Sequence, residues 1–331
     1  MAILTGNHVA HRRSSGGWQV PLAVALAAWS VGQVAPLLSP LILALAVGAI
    51  VANTSLARSA AVAPAASPAR FMLRLGVALL GLRLALSDIA QVGLLGAAMV
   101  LITVAGTFTI TSLVGRRMGL EPQFVSLIAS GFAVCGAAAI AAVQDNVRAK
   151  EHHVGLALAL VTIHGTVMLA AIPLLGDLLG LDQVSVSMWA GASIHEVAQV
   201  AAAAAMIGPG AVAIAMSVKL GRVLMLAPIH QTVSRLHHDG GKASLHDVPW
   251  FLYAFVAAVA IRATGVLPDD VLTGATHAST ILLAAGMFGL GLGIVLKDLW
   301  PIPGRAVVLS IVATLTVTTI PLAMLMLLGP A

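Results

Sequence analysis

The sequence predicts an all-α membrane protein with about eleven transmembrane helices in a single domain that spans residues 1–331. Hydrophobic residues occupy 60% of the chain and charged residues only 9%, whereas soluble domains carry about 25% charged residues. A spanning helix needs about 20 mostly apolar residues, and such stretches recur along the chain with short polar turns between them. These long apolar runs exclude a membrane β-barrel, which is built from alternating strands of about ten residues.

Eleven apolar segments can be delimited, and no linker between them is long enough to divide the chain into domains. Alanine and glycine are abundant in these segments, as is typical of helices that pack closely in lipid. The segments are Trp18–Leu38, Pro40–Thr54, Phe71–Leu86, Leu94–Gly115, Gln123–Val143, Val154–Leu179, Val184–Ile207, Ala211–Ile229, Pro249–Val266, Val271–Val295 and Gly304–Leu328.

The charges and the single cysteine exclude several classes of protein. Cys135 leaves neither an internal disulfide nor a cysteine-based metal cluster. The net charge of +5 is spread in ones and twos between apolar segments, which encodes membrane topology and does not indicate a nucleic-acid surface. The polar stretch Met1–Gly17 is followed by an apolar run long enough to span, so no cleavable signal peptide is expected. We expect no cofactor.

The distribution of basic residues predicts the orientation of the chain. Cytoplasmic loops carry an excess of Lys and Arg, and placing the N-terminus in the cytoplasm puts most of them there. The outer side then receives only the loop with Arg148 and Lys150, with Arg262 near an outer helix end. The residues predicted to be cytoplasmic are Arg12, Arg13, Arg58, Arg70, Arg74, Arg116, Arg117, Arg235, Lys242, Lys297 and Arg305.

Two segments resemble each other. Gly76–Asp88 matches Gly286–Asp298 without a gap at positions that include Gly76/Gly286, Gly81/Gly291, Leu82/Leu292, Leu86/Leu296 and Asp88/Asp298. The predicted topology runs the two helices in opposite senses. Such an echo suits an inverted repeat, although Gly-Leu-rich helices also match by chance.

The seventh segment contains a group of polar residues inside an apolar run. Four positions separate His195 from Gln199 and three separate Glu196 from Gln199, so on a continuous helix all three project to one side. A carboxylate within a membrane is costly and marks a functional site by default. The alternative is a structural hydrogen-bonding patch between helices. A zinc site is not indicated, because no second histidine lies four residues beyond His195.

Three cations are counted in the membrane interior: Lys219 and Arg222 in the eighth predicted segment and Arg83 in the third. Arg262 in the ninth segment is left out of the count because its side chain can reach the outer surface. Set against Glu196, the three counted cations form a buried positive excess that an anionic substrate would compensate. The alternative is that one cation forms a structural bridge with Glu196. We expect a charge-assisted contact between Glu196 and Lys219 or Arg222 when no substrate is bound.

The fifth segment contains a cluster of small and weakly polar residues: Ser130, Gly131, Cys135 and Gly136. Such a cluster marks a place where a helix can break, and the N-termini of half-helices attract anions in transporters. Close packing of helices through small residues explains the same pattern. We take these four residues, with the polar group and the three cations, as the candidate substrate-binding residues.

Together these stretches resemble the YeiH-type family of bacterial membrane proteins, described as sulfate exporters, from about Leu41 onwards. This chain departs from the family pattern at Gly131-Phe132, where small polar residues are usual, so Phe132 is expected to alter the site. The stretches that carry the resemblance are Gly76–Arg83, Ser130, Val134–Ala139, Ser193–Val200, Lys219–Pro228, Val248–Phe251 and Gly289–Asp298.

The resemblance implies a secondary transporter of the bacterial cytoplasmic membrane, similar to the cation/proton antiporter and bile-acid transporter group. That group has two inverted five-helix repeats with crossing broken helices. With one extra N-terminal helix, the fifth and tenth segments would be the broken pair. This pairing conflicts with the echo between the third and tenth segments.

The resulting hypothesis is a secondary exporter of a small anion, namely sulfate, sulfite or an organosulfonate. Lys219, Arg222 and Arg83 would attract the anion, and His195 and Glu196 would couple transport to protons. One alternative is a sodium- or proton-coupled carrier of another substrate, with Glu196 and Gln199 as cation ligands. A remote alternative is an intramembrane enzyme with Cys135 as nucleophile and His195 as base, but no third orienting residue is evident. The lipid bilayer is the expected partner, and assembly of identical chains is left open.

Overall fold

The computed structural model describes residues 17–35, 38–83, 86–237, 250–295, 297 and 303–328, and within these ranges the chain is helical and has no strand. The all-α prediction is therefore confirmed for this part of the chain. The described helices are α1 (Gln19–Val34), α2 (Pro40–Ala52), α3 (Ala66–Leu80), α4 (Leu86–Arg117), α5 (Pro122–Ala133), α6 (Ala137–Val143), α7 (Glu151–Leu178), α8 (Gln183–Ser193), α9 (Val197–Ile207), α10 (Ala211–Leu224), α11 (Leu226–His237), α12 (Trp250–Ala263), α13 (Asp269–Gly291) and α14 (Gly304–Leu328), with 3₁₀ turns at Ser55–Arg58 and Gly81–Arg83.

Five helical stretches in the described ranges are long and apolar enough to cross a membrane. They are Gly93–Arg117, Glu151–Leu178, Ala211–His237, Asp269–Gly291 and Gly304–Leu328. Shorter apolar helices (α1, α2, α5 and α12) accompany them. The helices thus support several membrane passes, and they do not confirm the count of eleven.

The fifth predicted segment is not one crossing helix. It contains α5 and α6, which are separated by a break at Val134–Gly136. α5 alone is about 18 Å long, yet Glu121, which precedes it, pairs with Lys150, which follows α6, at 2.8 Å. The chain must therefore turn back at the break. We call this unit hairpin 1.

The seventh predicted segment is also a hairpin. It contains α8 and α9, separated by a break at Ile194–Glu196. The amide of Gln183, at the start of α8, donates to the carbonyl of Pro209, which lies just beyond the end of α9. We call this unit hairpin 2. The prediction that the fifth and seventh segments are single spans is wrong.

The two hairpins enter the helix bundle from opposite ends. They are joined by α7, whose 28 residues extend over about 42 Å. The side chain of Asp182 begins hairpin 2 by accepting bonds from the amides of Val184 at 2.8 Å and Ser185 at 3.0 Å. Its bond from the Ser185 hydroxyl holds the pKa of the Asp182 carboxyl below its ordinary value. An N-cap of this kind satisfies amides that a helix start leaves free.

The two ends of the bundle differ in charge. Hairpin 1 opens at the basic end, where Lys150 holds the pKa of the Glu121 carboxyl below its ordinary value. Contacts of Arg305 with the Met118 carbonyl and of His237 with Ser126 bring further chain segments to this end. The acidic end carries Asp177, Asp182, Asp269 and Asp270.

Arg148 and Lys150 lie at the basic end, because the loop that carries them returns with hairpin 1. Their predicted place on the opposite side from Arg116 and Arg117 is therefore wrong. The correction increases the charge asymmetry on which the orientation was based. Arg12, Arg13 and Lys242, which the same prediction used, lie outside the described residues.

The two similar segments begin in α3 and α13, and these helices pack against each other through equivalent residues. A Cβ added to Gly76 would lie 2.9 Å from the backbone nitrogen of Leu283, and one added to Gly286 would overlap Leu73. The same Leu-x-x-Gly spacing thus forms both sides of the contact. Asp298, at the end of the echo, lies outside the described residues.

The helices pack in two groups. α13 packs on α1, α2 and α3, and α12 packs on α3, whereas α4 packs on α5, α10 and α14, and α8 packs on α10. The tenth predicted segment, which contains α13, is continuous from Asp269 to Gly291. The predicted partner of the broken fifth segment is therefore wrong, because the second break lies in the seventh.

Accessibility to a membrane-impermeant maleimide tests the return of hairpin 1. In a Cys135→Ala background, we expect Arg148→Cys and Arg235→Cys to react from the same side of the membrane. Asp177→Cys serves as the control for the opposite side, and labelling is compared between intact cells and inverted vesicles. Reaction of Arg148→Cys from the same side as Asp177→Cys would mean that the fifth segment crosses as one helix.

Candidate functional site

The tips of the two hairpins meet in the interior, and Lys219 of α10 joins them. Its ammonium donates to the carbonyl of Val134 in hairpin 1 at 2.9 Å and to that of Ile194 in hairpin 2 at 2.8 Å. Lys219 is completely buried. A single side chain therefore links the two helix breaks.

Arg222, one helical turn further along α10, makes a second set of bonds to the same tips. Its guanidinium donates to the carbonyls of Phe132 at 2.9 Å and Ala133 at 3.0 Å in hairpin 1. It also donates to Ala192 at 2.8 Å and Ile194 at 3.1 Å in hairpin 2. These carbonyls belong to the C-terminal turns of α5 and α8, which lack partners within their own helices and carry partial negative charge. The two cations thus satisfy both helix C-termini.

Glu196 contacts helix N-termini, whereas Lys219 and Arg222 contact helix C-termini. Its Oε1 accepts a bond of 2.7 Å from the backbone amide of Ala137, the first residue of α6. Glu196 also directly precedes α9, and its own amide donates to the side-chain oxygen of Gln199 at 3.3 Å. The carboxylate is therefore placed where two helix N-termini provide partial positive charge.

The predicted ion pair between Glu196 and Lys219 or Arg222 is wrong for this structure. No ion pair of the described residues includes Glu196. The reason is that the helix breaks supply backbone partners of both signs, so each buried charge bonds to a helix terminus. Lys219 and Arg222 do share one face of α10, as their spacing predicts.

His195, Glu196 and Gln199 do not project to one side, because α9 begins only at Val197. Gln199 faces α7, where its amide donates to the Thr166 hydroxyl at 3.3 Å. The His195 ring packs edge-on against Phe132 with a centroid distance of 4.6 Å. The common face was predicted for a continuous helix, and the break removes it.

Several polar groups around the tips are buried without a hydrogen-bond partner. They are the hydroxyls of Ser130 and Ser193 and both ring nitrogens of His195. The Cys135–His195 pair that an enzyme would need is therefore not bonded. The Phe132 ring, where the chain departs from the family pattern, also packs on His164. Phe132 thus occupies the space beside His195.

The four residues of the fifth segment lie at or near the tip of hairpin 1. Gly131 faces Ile140 on the returning helix, and Gly136 has φ +72° and ψ −126°, a conformation that favours glycine. Cys135 is buried beside the break. The prediction of a helix break at these residues is confirmed.

Arg83 is not part of this cluster. It lies in the 3₁₀ turn after α3, where it lines two cavities of about 520 and 320 Å³. The prediction that three cations share one site is therefore wrong, because only Lys219 and Arg222 contact the tips.

Two neighbouring cavities lie between Arg83 and Glu196. The cavity of about 320 Å³ and a smaller one of about 20 Å³ share Leu41, Val197 and Leu283 as lining residues. Glu196 and Cys135 line the smaller cavity, which is large enough for about one water molecule. A separate cavity of about 310 Å³ opens near Arg70 and Glu151 at the basic end.

The charges at the tips leave a positive excess. In their ordinary charged forms, Lys219 and Arg222 carry two positive charges and Glu196 one negative charge. Each helix terminus contributes about half an elementary charge, so the C-termini of α5 and α8 and the N-termini of α6 and α9 cancel. One net positive charge remains on the three side chains.

The main partners of these charges were not predictable from side-chain patterns. They are backbone groups, namely the carbonyls of Phe132, Ala133, Val134, Ala192 and Ile194 and the amide of Ala137. Glu196 and Gln199 form a capping box at the start of α9, and their spacing of three residues was the available indication that a new helix begins there.

The chain matches the family model described as conserved hypothetical protein 698 over residues 17–310. It is 41% identical over 291 residues to a UPF0324 membrane protein of Corynebacterium glutamicum, covering 86% of this chain and 84% of the relative. A UPF0324 membrane protein of Agrobacterium fabrum is 34% identical over 274 residues, with 82% and 79% covered. One of Pseudomonas aeruginosa is 36% identical over 274 residues, with 77% covered in both chains. These similarities support the membrane assignment, and the resemblance to sulfate exporters stays a prediction.

Two alanine substitutions test the close approach of Gly136 to Glu196. Gly136→Ala and Gly180→Ala both place a side chain at positive φ, and Gly136, with ψ −126°, also lies outside the left-handed helical region, which adds strain. Only the Cβ at position 136 would overlap the Glu196 carboxylate, while nothing lies within 4 Å of one at position 180. We therefore expect Gly136→Ala to lower the Tm of the purified protein more than Gly180→Ala. Equal shifts would contradict the position of Glu196.

Proposed function

The chain belongs to the family of conserved hypothetical protein 698, with UPF0324 membrane proteins as relatives, and we propose that it is a secondary transporter of a small anion. The observation that carries the proposal is the meeting of two broken helices, from opposite ends, at Lys219. Transporters place substrate and coupling-ion sites at discontinuous helices near the bilayer midplane. Irregular backbone at that depth is tolerated where it is buried in protein or lines a cavity.

The net charge at the hairpin tips favours an anionic cargo. One positive charge is left over after the helix termini are counted, and a buried excess of this kind is costly without a counterion. Sulfate, sulfite or an organosulfonate would provide it. Arg83 adds a further positive charge beside the cavity that approaches the tips.

Glu196 supports coupling of transport to a proton or sodium ion. Glu196 is buried beside the cavity of about 20 Å³, whose surface is apolar, so a small cation reaches the carboxylate only when the surrounding side chains move. This observation also favours the second candidate function, a cation-coupled carrier of another substrate. In both cases Glu196 exchanges a cation while Lys219 and Arg222 keep the tips together.

We further propose that the chain lies in a bacterial cytoplasmic membrane with its basic end, and hence its N-terminus, in the cytoplasm. The positive-inside rule supports this orientation, because Arg148 and Lys150 lie with the other basic loop residues. The opposed hairpins and the reciprocal packing of α3 on α13 support an inverted-repeat architecture. An exporter in this orientation releases its cargo at the acidic end.

Anion transport by the purified full-length protein tests the proposal. We expect proteoliposomes loaded with sulfate, sulfite or propanesulfonate to accumulate the labelled anion by counterflow. Lys219→Met should abolish accumulation, because it leaves two buried carbonyls without partners, at a cost of about 1–3 kcal/mol each. The same substitution at exposed Lys150 is the matched control. Failure of the folded wild-type protein to accumulate any of these anions would refute anion transport.

A substitution at Glu196 tests the coupling role. Glu196→Gln keeps an oxygen that can accept the bond from the Ala137 amide, but it removes a negative charge beside two buried cations, so we expect a folded protein with a lower Tm. The substitution removes the exchangeable charge, so imposed proton or sodium gradients should no longer stimulate transport. Glu151→Gln, at an exposed helix start, should retain the stimulation. Gradient-stimulated transport by Glu196→Gln would rule out this role.

A further inference from the structure

The cavity of about 320 Å³ beside Arg83 has two chemically different walls. We call it the Arg83 cavity. Its lining residues are Ser39, Pro40, Leu41, Arg83, Val197, Ala201, Ala202, Ala205, Thr280 and Leu283. The volume falls at the lower end of the range of about 300–1,000 Å³ that is usual for small-molecule sites.

The polar wall offers one positive charge and one free hydroxyl. Arg83 is the charged member of the lining. The Ser39 hydroxyl has no hydrogen-bond partner among the described residues although Ser39 is only 8% exposed, whereas the Thr280 hydroxyl already donates to the carbonyl of Thr276. A buried hydroxyl without a partner is unfavourable, and a ligand acceptor would satisfy it.

The facing wall is apolar. Ala201, Ala202 and Ala205 of α9 form it with Val197 and Leu283. A sulfate dianion accepts hydrogen bonds on all sides and carries two charges, so this cavity would leave much of it uncompensated. An acid group with a short alkyl chain matches both walls.

From this arrangement we infer that the cargo is an organic monoanion with a short apolar group, bound with its acid group at Arg83 and Ser39 and its alkyl group against α9. The inference rests on the proposed anion transport and narrows its substrate class. The acid group lies at the Arg83 side because the positive charge and the Ser39 hydroxyl are there, whereas the α9 side of the lining is apolar.

A homologous series of sulfonates tests the inference by inhibition of counterflow and by thermal stabilisation. From methanesulfonate to ethanesulfonate and propanesulfonate, affinity should rise by about fourfold per buried methylene. Sulfate should bind more weakly than propanesulfonate, and uncharged propanol should not compete.

Two variants, each with a matched control, test the roles of the polar wall and the apolar wall of the Arg83 cavity. Arg83→Gln should weaken all sulfonates at least tenfold, whereas Arg262→Gln, which lines only the neighbouring cavity, should not. Ala202→Leu should weaken propanesulfonate more than methanesulfonate by filling the apolar wall. Ala213→Leu adds the same volume on an exposed face of α10 and should have no effect.

The outcomes separate this inference from the proposed function. Transport of sulfate with no chain-length dependence and no effect of Ala202→Leu would overturn the inference and leave anion transport standing. Absence of binding and transport for every anion would overturn both. If Arg83→Gln fails to fold, the chain-length series and Ala202→Leu still decide the question.

Discussion

The hydrogen bonds that Lys219 and Arg222 donate to the two hairpin tips are the interaction on which the rest of the interior depends. A helix break in an apolar environment leaves carbonyls on one side and amides on the other without partners, and each costs free energy. Two helix breaks in the interior would cost too much free energy if each needed its own set of hydrogen-bond partners. By placing both C-termini around α10, the fold lets two cations serve them together. The N-terminus of α6 then receives a carboxylate from the other hairpin.

These hydrogen bonds hold the two hairpins to each other more strongly than the hairpins are held to the side chains around the cavity of about 20 Å³. Separating the tips would break the bonds of Lys219 to Val134 and Ile194 at once, and would leave a buried charge uncompensated. The wall around the small cavity, in contrast, presents apolar side chains such as Leu73, Leu283 and Met287. Apolar contacts are non-directional and can be exchanged at lower cost. Movements that change access to Glu196 are therefore expected at this wall, with the hairpin tips and α10 moving together.

Composition and residue spacing predicted the helical class, the helix break near Gly136 and the shared face of Lys219 and Arg222. They did not predict the hairpins, because a re-entrant hairpin has the same length and hydrophobicity as a spanning helix. The face assigned to His195, Glu196 and Gln199 assumed a regular helix through Ile194, where the chain breaks. The expected ion pair failed for a related reason: side-chain patterns do not reveal the backbone carbonyls and amides that a break exposes.

Because hairpin 1 turns back to the basic end, the basic residues are distributed differently between the two ends of the bundle. This distribution bears on how an anion reaches the interior. With Arg148 and Lys150 at the basic end, the acidic end is left with Arg83 and Arg262 as its described basic residues. Both line one open cavity, together with Asp269. Arg83 also lines the cavity of about 320 Å³, while Arg70 and Glu151 line a separate cavity at the other end. An anion leaving through the acidic end would thus pass Arg83 before it meets Arg262 and Asp269. Arg83 is therefore suited to hold an anion on one side of the hairpin tips, separately from the two cations that hold the tips together.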